Sequence, residues 1–195
     1  MLYFYQSANT DPYFNLALED HLFARTAPGQ ELFLLWQNSP SVIVGKYQNT
    51  WEEVNLRFLR SRDIPVARRL SGGGAVYHDL GNLNYTFITD AGRAEAFHFQ
   101  VFTQPVLAAL RRLGLDAQYS GRNDITAEGR KLSGSAQYIR SGRLLHHGCI
   151  MLNTDLDALS GALRVGESKI RSKSIKSVRS RVTTVSACLN QAITA

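Results

Sequence analysis

Apolar residues recur along this chain with two different periods, one typical of helices and one typical of strands. Asp11 and Pro12 suit the N-cap and the first position of a helix, and Phe14, Leu18 and Leu22 then recur every four residues. Comparable patterns occur three more times along the chain. The predicted helices span residues 12–26, 52–62, 99–113 and 155–164.

Short apolar runs predict the strands between these helices. The runs cover residues 31–37, 41–47, 66–70, 74–79, 83–88, 116–120, 131–140 and 144–153. Only Asn38, Ser39 and Pro40 separate the first two runs, so we expect those strands to pair. The last two runs flank a glycine-containing turn and predict a hairpin. Hairpins and helices mix without strict strand–helix–strand order, which favours an α+β fold with a mixed, largely antiparallel sheet flanked by helices.

Composition places the chain among ordinary globular domains. It has 195 residues, of which 44% are apolar and 19% charged, enough for one domain with a sizeable core. No apolar run approaches the length of a membrane span, and the N-terminus carries no secretory signal pattern. The two cysteines, Cys149 and Cys188, form no metal-binding cluster, which indicates a reduced, cytoplasmic protein.

A net charge of +6 favours an anionic partner, which could be a nucleotide, a nucleic acid or an acidic protein. Much of this charge falls in one serine-rich stretch without apolar periodicity, which predicts a mobile, solvated loop. Its basic residues are Lys169, Arg171, Lys173, Lys176, Arg179 and Arg181.

Three consecutive glycines, Gly72 to Gly74, follow two arginines and a serine and precede a strand. A simple hairpin turn is one interpretation, because glycine adopts positive φ without strain. The other is a loop whose N–H groups face an anion with no side chain in the way. No Gly-Lys-Ser/Thr follows, so the loop is not a Walker A motif. Arg68 and Arg69 face opposite ways in a strand, so one of them can reach the loop.

A second polar stretch, residues 121–136, ends in a strand of small residues. Arg122, Asn123 and Asp124 favour either an Asx-type turn or a ligand site. Lys131 opens the strand, and alternation predicts that Ser133 and Ser135 share its face, beside small Gly134 and Ala136. An inward lysine needs an anionic partner, and a carboxylate or an α-phosphate would serve.

Three histidines and a cysteine complete the candidates. His146 and His147 are adjacent in a strand, so their rings face opposite sides and cannot bind one metal together. His78 follows the glycines by four residues. For each, a hydrogen-bonded core histidine is the alternative to a site residue. Cys149 is a buried thiol by default and would need an activating neighbour to act as a nucleophile.

Four blocks taken together resemble the signature of a known family: RRLSGGGAVYHDLGN, GRNDITAEGRKLSGSA, HHGCIMLN and KSIKSVRSRVTTV. Their order and spacing are similar to those of lipoate–protein ligases, in the biotin/lipoate ligase superfamily. The resemblance extends from the helix with sequence DPYFNLALED to about Val185. It implies the mixed fold of the biotin/lipoate ligase catalytic domain over residues 1–195, incomplete at the C-terminus and without an accessory C-terminal domain.

The resemblance also implies a reaction. Such enzymes use ATP, with Mg²⁺, to convert lipoate into lipoyl-AMP and pyrophosphate. They then transfer the lipoyl group to a lysine of a carrier domain, in the E2 subunit of a 2-oxoacid dehydrogenase or in the glycine cleavage H protein. Two mutually repelling acids must meet, so the site has to supply positive charge and N–H donors. No nucleic-acid or membrane partner is expected.

Residue roles follow from the matched motifs. Lys131 is expected to be catalytic, touching both the acyl carbonyl and the α-phosphate, and Asp124 is a candidate Mg²⁺ contact. The loop from Lys173 to Arg181 is expected to close over the adenylate. The expected ATP contacts are Arg69, Gly74, Ala75, Val76, Tyr77, Asn82, Asn123, Asp124, Lys131 and Arg179. The expected lipoate contacts are Arg69, Ser71, Gly72, Gly73, His78, Lys131, Ser133, Gly134 and His147.

Two other functions remain to be weighed. Cys149 stands where the motif suggests a hydroxyl residue, and related octanoyltransferases use a cysteine nucleophile. Acyl transfer through a Cys149 thioester, without ATP, is therefore the alternative reaction. A nucleic-acid binder would explain the basic charge, but no strand or helix face combines basic and aromatic residues compactly.

Overall fold

The computed structural model describes residues 1–92, 99–121, 123–164 and 180–195. Its helices are α1 (Pro12–Arg25), α2 (Thr50–Glu53), α3 (Leu56–Ser61), α4 (Phe99–Arg112), α5 (Leu156–Ala162) and α6 (Val185–Leu189). Its strands are β1 (Leu2–Gln6), β2 (Glu31–Trp36), β3 (Ser41–Val44), β4 (Val66–Arg68), β5 (Val76–His78), β6 (Asn82–Asp90), β7 (Ala117–Ser120), β8 (Asp124–Ala127), β9 (Arg130–Arg140) and β10 (Arg143–Met151). None of the described helices is long and apolar enough to cross a bilayer.

The strands form two sheets. The large sheet has seven strands in the order β1-β2-β6-β10-β9-β8-β7, and all its neighbours are antiparallel except β1 and β2. The small sheet has the order β4-β3-β5, with β3 parallel to β4 and antiparallel to β5. The predicted α+β fold with a mixed, largely antiparallel sheet is confirmed.

Three apolar clusters hold the layers together. One lies between the large sheet and α4, where Val106, Leu107 and Leu110 pack on Tyr85. A second, around Phe23 of α1, covers part of the opposite face of the same sheet. The third joins the small sheet to α3 and α5. The small sheet and α1 therefore lie on the same side of the large sheet, and the space between them becomes the site described below.

The first helix begins and ends where the sequence predicts. The Asp11 carboxylate accepts hydrogen bonds from the main-chain N–H groups of Tyr13 and Phe14, at 2.7 and 3.3 Å, as an N-cap should. Its buried face is nevertheless unusual. Asn15 and Glu19 are 1% exposed, whereas apolar Phe14 is 48% exposed. A helix that buries an amide and a carboxylate must satisfy them with hydrogen bonds, and these partners belong to the site.

The prediction that 31–37 and 41–47 pair with each other is wrong. β2 lies between β1 and β6 in the large sheet, whereas β3 lies between β4 and β5 in the small sheet. The connecting residue Asn38 is fully buried and hydrogen-bonds Asn15 instead of forming a surface turn. This bond lies at the point where the chain leaves the large sheet and enters the small sheet.

Some elements differ from the predicted pattern. The single helix predicted over 52–62 is two short helices, because Val54 is buried and forms an antiparallel bridge to Leu163. β1, β8 and α6 were not predicted at all. The hairpin of β9 and β10 and the end of α4 at Gly114, where φ is +91°, agree with the sequence. The basic stretch lies outside the described residues, except for Arg181.

Candidate active site

A cavity of about 170 Å³ lies between the large sheet, the small sheet and α1. Its floor runs across the strands, because paired residues of successive strands share one face of a sheet. The register joins Trp36 to Asn84, Asn84 to Cys149, Cys149 to Gly134, and Gly134 to Asp124. With strands about 4.8 Å apart, this row measures roughly 19 Å from end to end. An elongated ligand could therefore lie perpendicular to the strands.

The glycine loop forms one wall of this cavity, and Arg69 holds it in shape. The Arg69 guanidinium donates to the carbonyl oxygens of Gly72 and Gly74, both at 2.8 Å, and to Ile43 O at 3.2 Å. Gly73 lies between the two accepted carbonyls with φ at +94°, a conformation that favours glycine. Burial lowers the pKa of Arg69, and the nearby Glu19 carboxylate opposes that effect. Arg69 faces inward, as one of the two arginines was predicted to do.

The loop also depends on a glycine that the sequence reasoning missed. A Cβ at Gly45 would lie 2.1 Å from the carbonyl oxygen of Gly73, so the two main chains touch only because Gly45 has no side chain. Ser71 O accepts from Lys46 N at 2.9 Å in the same contact. Arg68 faces outward and donates to Gly45 O at 2.8 Å. The loop thus rests on a second main-chain segment and is braced from both sides.

Behind the loop, a row of buried polar groups connects it to α1. Arg69 Nε donates to Ser71 Oγ at 3.0 Å, and Ser71 Oγ lies 2.6 Å from His147 Nε2. His147 Nδ1 donates to both oxygens of Glu19, at 2.9 and 3.0 Å. Thr86 Oγ1 also donates to Glu19 Oε1, at 2.6 Å. Glu19 belongs to α1 and His147 and Thr86 belong to the large sheet, so these bonds fix the loop relative to both.

His78 lies on the cavity wall as a neutral ring with a defined tautomer. Asn15 Nδ2 donates to two main-chain carbonyls, which identifies its nitrogen, and at 3.0 Å it also donates to Asn38 Oδ1. The other end of the Asn38 amide must then be its nitrogen, which lies 3.2 Å from His78 Nδ1 and donates to it. His78 Nε2 therefore carries the hydrogen. Burial, aided by the charges of Arg69 and His147, lowers the pKa of His78 to about 3.

Lys131 lies at the end of the cavity opposite Trp36. Its Nζ is 2.8 Å from Asp124 Oδ1, and the lysine side chain is 40% exposed. The side chain folds over Gly134, where a Cβ would lie 2.7 Å from Nζ. Its main chain is fixed too, because Lys131 N donates to Arg181 O and Lys131 O accepts from Thr183 N, both at 2.8 Å. The sequence predicted that an inward Lys131 needs an anionic partner, and among the described residues Asp124 is that partner.

The prediction that Ser133 and Ser135 share the face of Lys131 is wrong. The pairing of β8 with β9 shifts by one residue, because Ile125 pairs with Ser133 but Thr126 pairs with Lys131. The extra residue in β9 is a β-bulge, which changes the face that Lys131 occupies. Ser133 and Ser135 lie against the buried Tyr85 phenol, whose pKa burial raises. Lys131 reaches the cavity only because of this bulge.

Cys149 lies on the cavity floor but is not set up as a nucleophile. Burial raises the pKa of its thiol, although Lys131, the Gly134 N–H and Arg69 act in the opposite direction. A raised pKa keeps the sulfur protonated, and the thiol is a much weaker nucleophile than the thiolate. Cys149 and Cys188 are both free thiols.

The structure brings most predicted site residues to the cavity. Those that line it are Arg69, Gly73, Gly74, Ala75, Val76, His78, Asn123, Lys131, Gly134 and His147. Ser71 and Asp124 touch this set through His147 and Lys131. Gly72 contributes the carbonyl that Arg69 binds. Asn123, for which the sequence left an Asx turn and a ligand site open, bonds to Ser135. Its carbonyl oxygen accepts from Ser135 N, and its Nδ2 donates to Ser135 O.

Besides Ser71, Gly72 and Asp124, three more predicted contacts do not line the cavity, and a further one lies outside the described residues. Ser133 is on the opposite face of β9. Tyr77 packs into the core of the small sheet, and burial raises its pKa to about 12. Asn82 is buried and donates to Tyr77 O at 3.4 Å, supporting the turn that precedes β6. Arg179 is the one outside.

Sequence reasoning missed residues that line the cavity or support it. The lining residues that it did not single out are Leu16, Trp36, Ile43, Asn84 and Gly148, whereas Ser135, Ala136 and Cys149 were already among the candidates. The supporting residues are Glu19 and Gly45. Most of these are apolar or small and look like ordinary core positions. Glu19 carried no clear signal, since Asp20 and His21 follow it directly and Asn15 lies one turn earlier.

The assembled cavity suits an acid with an apolar tail. Its lining is largely apolar, and it includes the Lys131 cation and the main chain of Gly73 and Gly74. Within the described part of the chain, no three histidine, cysteine or acidic side chains group to hold a metal ion.

Comparisons with known proteins agree with this geometry. Residues 11–195 match the model of the lipoyl protein ligase A/B catalytic domain. Lipoate-protein ligase LplJ of Bacillus subtilis is 48% identical over 196 residues, covering 100% of this chain and 59% of the relative. A bipartite archaeal lipoate protein ligase from Thermoplasma acidophilum, studied with its E2 lipoyl domain, superimposes with a TM-score of 0.85 at 34% identity, covering 95% of this chain and 74% of that one. Lipoate-protein ligase A bound with ATP gives a TM-score of 0.85 at 31% identity, covering 98% and 78%.

Proposed function

The chain belongs to the lipoyl protein ligase A/B catalytic domain family, and on that premise we propose that it activates lipoate with ATP and passes the lipoyl group to a protein lysine. The chain spans 59% of the length of its Bacillus relative, so residues 1–195 are proposed to supply the catalytic domain of such an enzyme. The single observation that carries the proposal is Lys131. Its ammonium group and the glycine loop belong to the lining of one largely apolar cavity.

The first step requires a carboxylate and a nucleotide triphosphate to approach one another. Lys131 neutralises the carboxylate at the channel end, while Asp124 holds the ammonium before the acids arrive. The glycine loop supplies preorganised N–H donors, and Arg69 keeps them in place by binding the loop carbonyls. Binding energy from the acyl tail along the channel then positions the carboxylate against the α-phosphate.

The products of this step are an acyl adenylate and pyrophosphate. Carboxylate oxygen bonds to the α-phosphorus as the bond from that phosphorus to the bridging oxygen of pyrophosphate breaks. The incoming lysine amine then attacks the acyl carbonyl, releases AMP and loses a proton. Lys131 is proposed to stabilise charge in both steps, because its position serves the carbonyl and the α-phosphate alike.

Magnesium is proposed to bind here together with the nucleotide, whose phosphates would supply ligands. Asp124 supplies one carboxylate, and Mg²⁺ commonly uses one or two protein carboxylates together with substrate phosphates. Bound there, the ion would screen phosphate charge. Every other contact described for the two acids comes from the chain itself.

The acceptor is proposed to be a lipoyl carrier domain. An archaeal relative was studied with its E2 lipoyl domain, which supports E2 as a partner class. The glycine cleavage H protein is proposed as a second carrier of the same kind. The cytoplasmic location inferred from two unpaired thiols stays a prediction.

The structure weighs against acyl transfer through Cys149. Burial raises the pKa of the thiol, and this effect exceeds the opposing influence of Lys131. A thioester route also needs no ATP, so the two reactions can be separated. Incubation with an acyl donor and without ATP should leave Cys149 unmodified in intact-mass spectra.

Lipoate-dependent exchange of pyrophosphate into ATP tests the proposal. We expect Lys131→Ala to reduce exchange by at least about 10²-fold, since one charge-stabilising donor is worth that much. Arg130→Ala is the matched control, because Arg130 is next in the same strand but pairs at the surface with Glu128. Full exchange by a folded Lys131→Ala protein would reject the site. Absence of any exchange by the unmodified protein would reject the function.

A further inference from the structure

Asn84 is buried in the cavity wall with a hydrogen-bonding group that nothing uses. Its side chain is 1% exposed and lines the cavity. Its Nδ2 is fully buried, and no described residue accepts a hydrogen bond from it. Buried amides almost always find partners, and leaving one unpaired costs stability. A group kept in this state at a binding cavity indicates a partner that arrives with the ligand.

The register fixes where along the cavity this amide lies. Asn84 pairs with Trp36 on one side and with Cys149 on the other. Gly134, which the Lys131 ammonium covers, is two strands away, or about 10 Å. Asn84 is therefore at the tail end of the channel, beyond the reach of a carboxylate held by Lys131.

The surroundings of Asn84 make the amide selective. The nearby lining residues Trp36, Ile43 and Val76 offer apolar surface to a ligand tail. An amide N–H among apolar groups gains no hydrogen bond from a hydrocarbon tail, so the buried donor stays unpaired when such a tail binds. A tail that carries an acceptor at this depth avoids that cost.

We propose that Asn84 determines specificity for the acyl tail, donating a hydrogen bond from Nδ2 to a sulfur of the lipoate ring and disfavouring octanoate. The proposal rests on lipoate activation as the function of the site. Octanoate has the same chain length as lipoate but no heteroatom in its tail. Sulfur is a weak acceptor, so a preference of about tenfold is expected from this contact, equivalent to one modest hydrogen bond.

Competition between the two acids measures this preference. Pyrophosphate exchange gives kcat/KM for lipoate and for octanoate with the same protein. Replacing Asn84 by leucine, Asn84→Leu, keeps the size of the side chain and removes the donor. The ratio of lipoate to octanoate is expected to fall about tenfold, mainly through KM. Leu83→Val is the matched control, since Leu83 neighbours Asn84 in β6 but packs in the cluster on the opposite face of the sheet, and its ratio should stay within about threefold of the original.

Nuclear magnetic resonance provides a readout that does not need turnover. The side-chain amide signal of Asn84 in ¹⁵N-labelled protein is identified by its absence in Asn84→Leu. We expect it to move when lipoate is added and to move much less with octanoate. This measurement also serves if Asn84→Leu does not fold, because Asn84→Ser can then identify the signal.

The outcomes separate the two proposals. An unchanged ratio in folded Asn84→Leu, or equal amide shifts with both acids, overturns the role of Asn84 while exchange by the unmodified protein upholds the function. Exchange with neither acid, together with binding of neither, overturns lipoate activation itself. A lower ratio together with a lipoate-specific amide shift supports the proposal.

Discussion

At the scale of single residues, this site depends on atoms that are missing as much as on those present. Gly45 lets two main chains touch, and Gly134 makes room for the side chain of Lys131. Neither requirement can be recognised in a sequence, because a glycine that avoids a clash looks the same as one in a turn. Lys131 and the glycine loop were predictable, since their charge and exposed main chain suggest an anion site without any neighbours.

Gly134→Ala tests the space that Lys131 uses. The new Cβ would lie 2.7 Å from Nζ and 2.8 Å from Cε, so the flexible lysine must leave its place over the strand. We expect pyrophosphate exchange to fall by about 10²-fold, as for other small misplacements of a catalytic group. Urea unfolding should show a change of less than about 1 kcal/mol, because only the end of a side chain moves.

The control for this change is Gly92→Ala, where a Cβ meets nothing within 4 Å. That variant should match the original protein in both measurements. Wild-type exchange by Gly134→Ala would mean that the ammonium is not needed where the structure has it.

At the scale of elements, helix α1 shows what periodicity can and cannot predict. Its boundaries and N-cap follow from the sequence, but its buried face does not, because Asn15 and Glu19 occupy positions where apolar residues would be expected. Their partners come from distant strands, and no local pattern encodes such contacts. The same is true of β2 and β3, which are close in sequence and belong to different sheets. The bulge in β9 is a third case, since a shift of one residue moved Lys131 to the other face.

Glu19→Gln tests whether α1 orients the site. The carboxylate accepts from His147 Nδ1 and from Thr86 Oγ1, and an amide can accept only at its oxygen. The other end of the glutamine would oppose His147 Nδ1 with an N–H, so the ring must change tautomer or turn. We expect the free energy of unfolding to drop by about 1–3 kcal/mol. The rate of lipoate-dependent pyrophosphate exchange should fall severalfold.

Asp20→Asn is the matched control, because Asp20 neighbours Glu19 on the same helix and is only partly buried. It should leave both quantities unchanged. Equal behaviour of the two variants would show that Glu19 has no special part in holding the glycine loop.

At the scale of the whole molecule, two buried histidines couple the fold to pH. Burial lowers the pKa of His78 and of His146 to about 3, from an ordinary value of 6.5. Below pH 6.5 these two histidines therefore bind protons in the unfolded chain but stay neutral in the folded chain. Their stabilising effect is fully present above that pH and is lost progressively as the pH falls towards 3.

We expect the unfolding free energy to decline by about 1.4 kcal/mol per pH unit for each histidine in that range. His146 lies among Phe99, Phe102 and Tyr85, on the face of the sheet away from the cavity. Replacing it in His146→Phe should remove about half of the decline that the pair causes. Urea unfolding between pH 4 and 6, roughly the span in which the two states differ, measures the slope. The exposed His21 is the control, since His21→Gln should leave the slope as it was.

The orientation of the channel has a consequence for the evolution and engineering of such sites. Because the floor crosses the strands, each successive strand contributes one residue to it. These residues are evenly spaced, because hydrogen bonds fix the distance between neighbouring strands. On the proposed function, we expect the length of an acyl tail to be selected in steps of about 4.8 Å, the distance between neighbouring strands. A single substitution on one strand is then expected to change which tail is accepted at that depth. The activation of the carboxylate, several strands away, should stay the same.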